Sequence, residues 1–169
     1  MKGRSFFCLY FVFALCAAAA DEGLSENEDL PAAQSGFGAA LILGEPMGFS
    51  AKLWISPDFS LDAGAGWSMY RRAEEDIRTV GAPYFYIEYL RHFYDVVKAE
   101  SGKFVYFIGL GAETALDKEI YFGARIPFGM TYMFQNDPFD IFLELAPSVV
   151  FRPNITSDIG ACAGLRYWF

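Results

Sequence analysis

The chain has 169 residues, of which 54% are hydrophobic and 18% aromatic, and a formal net charge of -8. That length suits one domain, and the acidic balance argues against a nucleic-acid partner, which requires a basic footprint. Phe (18), Gly (16) and Tyr (10) are abundant while long aliphatic runs are few, a composition that favours strands over helices.

The first element is a targeting segment. "MKGR" is a basic n-region, "SFFCLYFVFALC" an apolar h-region, and "AAAA" supplies the small residues of a cleavage site. Residues 1–20 therefore read as a secretory signal peptide cleaved after about Ala20. The apolar run falls short of the roughly 20 residues a membrane helix needs. A rival reading, acylation at Cys16, is disfavoured by the bulky Leu15 directly before it. Cleavage removes Lys2, Arg4, Cys8 and Cys16, which leaves Cys162 as the single cysteine. The exported domain is thus held together without disulfides.

Residues 21–35, "DEGLSENEDLPAAQS", form an acidic, flexible leader. From Gly36 onward, apolar and polar residues alternate in short segments: 36–43, 48–55, 60–69, 82–91, 103–113, 119–134, 139–151 and 157–169. This predicts eight strands. "SPDF" (56–59) and "QNDP" (135–138) are tight turns. Residues 70–81 make a long charged loop, and 92–102 reads as another long connection.

Each strand has one apolar face and one face of Gly and isolated charges. In 60–69, Leu61, Ala63, Ala65, Trp67 and Met69 oppose Asp62, Gly64, Gly66 and Ser68. In 119–134, Phe122, Ala124, Ile126, Phe128, Met130 and Tyr132 oppose Gly123, Arg125, Gly129 and Thr131. Glycine weakens a strand unless close packing demands it, and the narrow interior of a small barrel does. Apolar outside with small and charged inside is the inverted pattern of a transmembrane β-barrel. Only closure pairs every backbone group inside a bilayer. The predicted fold is an all-β, eight-stranded antiparallel up-and-down transmembrane barrel over residues 36–169. Pro127 and Pro147 sit inside predicted strands. They are expected to form a paired bulge or kink at which the in/out phase slips by one residue.

The chain ends "GLRYWF", with Ala163, Leu165, Tyr167 and Phe169 at alternate positions. This end resembles the C-terminal signal by which outer-membrane barrels are recognised for insertion. Together with "GFGAALILGEPMGFSAKLWIS", "GARIPFGMTYMF", "DIFLELAPSVVF" and "GACAGLRYWF", it resembles a family of small eight-stranded outer-membrane barrels of spirochaetes and other diderm bacteria, similar in architecture to the OmpA membrane domain. The resemblance implies an outer-membrane location, with outer-membrane lipid and the barrel-assembly machinery as partners, and a monomeric barrel; it supplies no biochemical activity, and the chain is expected not to be an enzyme.

The charged inward positions are Lys52, Asp62, Glu88, Glu113, Arg125, Glu144, Asp158 and Arg166. Eight strands enclose an interior just wide enough for side chains to fill. These residues are therefore expected to plug the lumen as a charge network, with a porin-like pore as the alternative. Lys52 is expected to pair with Asp62 across the "SPDF" turn, and Glu144 with Arg166 across the last hairpin. His92 is the only histidine. Some eight-stranded outer-membrane barrels act on lipid A through a His with a Ser close by on the same face. Here Tyr94 follows two positions on, so His92 reads as an interfacial residue and no catalytic residue is assigned. No cofactor or metal is expected. Trp54, Trp67, Tyr70, Tyr84, Tyr89, Tyr167 and Trp168 are candidates for interfacial aromatic girdles.

Overall fold

The computed structural model describes residues 36–68, 81–99, 102–117 and 119–169. The signal peptide, the acidic leader and all of the 70–81 loop but Gly81 lie outside them. The strands are β1 (Phe37–Gly44), β2 (Met47–Trp54), β3 (Phe59–Ser68), β4 (Ala82–Ala99), β5 (Gly102–Leu116), β6 (Ile120–Arg125), β7 (Phe128–Phe134), β8 (Phe139–Arg152) and β9 (Thr156–Trp168). Every pairing is antiparallel, and all but the closing one join neighbours in the chain, with β6 and β7 taking one place together. β1 pairs with β9 as well as with β2, so the sheet closes into a ring. Eight places around that ring give an up-and-down barrel.

Two expectations are corrected here. The 92–102 connection is strand: β4 runs on to Ala99 and β5 starts at Gly102, with Val97 facing Phe104 and Ala99 facing Gly102. A register shift between Phe93 and Val97 interrupts the ladder here, and so the simple period that marks a strand in the sequence. The second correction concerns the prolines. Pro127 separates β6 from β7, yet no phase slip occurs. Arg125 faces Ser148 on one side of the break and Phe128 faces Leu145 on the other, which is one continuous register. The ladder survives through carbonyls, because the prolines lack only the donor. Ile126 N–H donates to Pro147 O at 2.9 Å, and Gly109 N–H to Pro127 O at 2.8 Å. The irregularity lies instead at Phe122/Gly123 opposite the end of β8.

Period-two alternation puts even-numbered residues of β1–β4 inside, then odd-numbered residues of β5–β7, then even-numbered residues of β8 and β9. The inward set includes Ala40, Ser50, Lys52, Asp62, Glu88, Val105, Arg125, Thr131, Glu144 and Arg166, all buried. The outward set includes Leu41, Phe49, Trp67, Ile87, Leu110, Phe122, Leu143 and Leu165, all exposed. Polarity is thus reversed relative to a water-soluble β domain.

Candidate functional site

The lumen is organised around two arginines, each held in the same way. Arg125 on β6 brings Nε to 2.6 Å from Glu88 and Nη2 to 2.7 Å from Glu144. Its Nη1 donates to the Tyr84 hydroxyl at 3.2 Å, and that hydroxyl donates to Glu113 at 2.5 Å. The guanidinium lies 4.5 Å from the centre of the Tyr86 ring. Arg166 on β9 brings Nη2 to 2.8 Å from Asp62 and Nη1 to 3.6 Å from Asp140. Its guanidinium lies 4.5 Å from the centre of the Phe142 ring. Planar guanidinium suits this combination of carboxylate pairing and ring stacking better than an ammonium does.

Glycine makes each aromatic shelf possible. Tyr86 faces Gly64 in register, and Phe142 faces Gly164. A Cβ at either glycine would overlap the ring beside it. With no side chain there, the ring lies across the neighbouring strand and offers its face to the arginine. The inward glycines therefore do more than narrow the barrel: two of them seat the rings that carry its buried cations.

Near the tight turn between β2 and β3 stands a third group. Lys52 Nζ is 3.2 Å from His92 Nε2. Because an ammonium only donates, His92 Nε2 is the acceptor when Lys52 is charged, which puts the ring proton on Nδ1. Lys52 lies 5.3 Å from the Phe107 ring centre and 5.7 Å from that of Trp54. Trp54 packs on His92 at 4.4 Å and on Trp168 at 6.0 Å, and Trp168 Nε1 donates to Asp140 at 2.7 Å.

Seven of the eight expected lumen charges are buried: Lys52, Asp62, Glu88, Glu113, Arg125, Glu144 and Arg166. Asp158 is not brought into the group. It lies near the β8–β9 turn, only partly buried, and its Oδ1 accepts the backbone N–H of Ile159 at 2.8 Å. The expected pairings also change. Lys52 and Asp62 do face each other in register, but the Asp62 carboxylate is engaged by Arg166. Glu144 belongs to Arg125, because its register partner on β9 is Cys162; the residue facing Arg166 is Asp140. Asp140, completely buried, was missed. Its even number matches that of Glu144 on the same predicted strand, so parity alone would have placed it inside.

His92 is inside the barrel at 2% exposure, not at an interface. Trp54, Tyr84 and Trp168 also face inward, so they leave the expected girdles, whereas Trp67, Tyr89 and Tyr167 are exposed on the outside. Tyr70 lies outside the described residues. Ala163, Leu165, Tyr167 and Phe169 share the outward phase of β9. Phe169 N–H donates to Phe37 O at 3.0 Å. Its ring lies 5.9 Å from Phe37 and 4.9 Å from Tyr167, which in turn lies 5.1 Å from Phe139.

Among the described residues, no group of three or more His, Cys, Asp or Glu side chains is arranged to hold a metal. The outer wall carries a groove of about 780 Å³, lined chiefly by outward residues of β5, β7, β8 and β9, with Phe93 at one end and Leu43 at the other.

Among solved structures, the crystal structure of the N-terminal β-barrel domain of Pseudomonas aeruginosa OprF is similar, with a TM-score of 0.57 and 15% identity over 80% of this chain and 98% of that one. At that identity the likeness is one of fold, and it agrees with the eight-place ring. No curated protein sequence matches. Residues 28–169 match the family described as "Protein of unknown function (DUF3996)", and the chain belongs to that family.

Proposed function

We propose that this chain is an integral outer-membrane β-barrel of the kind found in spirochaetes and other diderm bacteria, with a structural or surface-interaction role and a lumen closed by its own side chains. The observation that carries the reading is the reversal of polarity across the wall. Leu43, Leu110, Phe122, Ile159 and Phe169 are each more than half exposed, while Lys52, Arg125, Arg166, Glu88 and Asp140 are at most 2% exposed. In water such an outer surface would aggregate; in lipid it is the favourable arrangement. The ring of paired strands satisfies the backbone, as a bilayer requires.

In this reading the signal peptide sends the chain across the inner membrane and is removed near Ala20. The assembly machinery then reads Ala163, Leu165, Tyr167 and Phe169. The barrel stands as a monomer, and its surface interactions are assigned to the 70–81 loop, of which only Gly81 belongs to the described residues. It is not an enzyme: the buried carboxylates are committed to Arg125, Arg166, Tyr84 and Trp168, and His92 to Lys52.

The alternative is a small porin-like channel, and conductance separates the two. Protein refolded into planar bilayers, with folding verified by heat-modifiable migration in detergent gels, is expected to give no stable open level. Regular conductance steps from the verified barrel would establish the channel instead.

A further inference from the structure

Arg91 is out of place. Among the described side chains that keep the outward phase, it is the only charged one. It stands on β4 in register with Ile108 and two positions from Phe93, both of which line the outer-wall groove. Its guanidinium lies 5.2 Å from the Phe93 ring centre and 5.8 Å from that of Phe59. Phe59 is stacked on Tyr89 at 5.3 Å. No carboxylate among the described residues pairs with it. A charge on a lipid-facing wall is tolerated near the interface and strongly disfavoured at the midplane. The level of Arg91 agrees, because its register partner Phe59 begins β3 at the tight turn.

The geometry points to a binding site for one anionic phospholipid of the leaflet on the tight-turn side. Arg91 takes the lipid phosphate and the adjoining groove takes an acyl chain. Stacking on Phe59 and Phe93 fixes the plane of the guanidinium and leaves its N–H donors for phosphate oxygens, a pairing the fork geometry favours. The groove supplies apolar depth beside it. Ala161 and Ala163 line its β9 side, between Leu43 of β1 and Leu143 and Leu145 of β8. An unpaired cation at the rim of an apolar groove complements the negative head and apolar tail of such a lipid. A soluble anion would have no use for the groove, and a neutral lipid none for the unpaired cation.

This inference rests on the membrane-spanning reading above. The test uses the mature barrel in bilayer nanodiscs containing equal phosphatidylglycerol and phosphatidylcholine. Lipids that stay bound on transfer to detergent are counted by native mass spectrometry. Wild type should retain phosphatidylglycerol at least five-fold over phosphatidylcholine. Arg91→Gln should bring that ratio below two-fold, and Arg91→Lys should keep part of it. Ala163→Phe, which fills the groove, should lower retention of both lipids. Glycerol phosphate, which has no acyl chains, should not compete. Heat-modifiable migration establishes that each variant is folded. An unchanged ratio in Arg91→Gln, the absence of any head-group preference in wild type, undiminished retention in Ala163→Phe, or effective competition by glycerol phosphate would overturn the inference. If the wild-type chain fails to insert at all, both this site and the membrane-spanning reading fall. Insertion without head-group preference removes the site alone.

Discussion

Arg166 reaches Asp62, three strands away around the ring, at 2.8 Å. The contact ties β9, where the barrel closes, to β3 across the lumen. It also takes Asp62 away from Lys52, the residue that faces it on the adjacent strand. Register alone therefore does not decide which lumen charges pair; the length and planarity of arginine do.

Replacing Arg166 by Met should destabilise the folded barrel by about 3–5 kcal/mol, because it leaves Asp62 and Asp140 buried without their cation. Urea unfolding in lipid vesicles gives the measurement. A double-mutant cycle with Asp62→Asn should show a coupling on the order of 1–3 kcal/mol. The same cycle between Lys52→Met and Asp62→Asn should show a distinctly smaller one. Equal couplings would mean that the in-register pair shares the carboxylate.

Gly164→Ala should cost about 1–3 kcal/mol, the usual cost of overpacking, since the added Cβ meets the Phe142 ring. Phe142→Leu in the same chain should recover part of that loss, although on its own it weakens the shelf under Arg166. The unfolding midpoints of the two single variants and the double variant decide it. Simple additivity would show that ring and glycine do not interact.

The outlines of this arrangement were legible in the sequence because period-two alternation is strong where one face is apolar and the other small or charged. Lys52, Glu88, Arg125 and Arg166 could be assigned to the interior by parity. Asp140, the second residue of its predicted strand and next to the "QNDP" turn, was left out of the inward set although its parity is that of Glu144, and the 92–102 hairpin was hidden by its register shift. Trp54 and Trp168 share parity with Lys52 and Arg166, but their aromatic character suggested the girdle. Partner choice was not legible. The reach of Arg166 over β1 and β2 depends on curvature that a one-dimensional pattern does not contain.

Phe169→Asp should reduce the amount of heat-modifiable protein in outer-membrane fractions far more than Arg166→Met does. The ring sits at the end of β9, where a charge costs only about 0–1 kcal/mol in lipid transfer. A severe defect would therefore report lost recognition by the assembly machinery. Arg166→Met should assemble and then unfold more easily. Wild-type assembly of Phe169→Asp would make the terminal residue ordinary barrel surface.

Cys162 faces the lumen side of β9 opposite Glu144 and is partly buried. A charged, membrane-impermeant maleimide should label it at least ten-fold more slowly in the folded barrel than in the urea-unfolded chain. Equal rates would indicate a lumen open to solvent.

The central claim is that the apolar face of the wall meets lipid and the charged face does not, and the three tryptophans of the chain test it directly. Trp67 is 49% exposed on the outside, while Trp168 is 4% exposed inside and Trp54 packs against His92. In vesicles made with acyl-chain-brominated lipid, a variant that keeps only Trp67 should lose most of its fluorescence. Variants that keep only Trp54 or only Trp168 should be nearly unaffected. Quenching of the inner tryptophans with Trp67 spared, or no quenching of any of the three, would contradict the account.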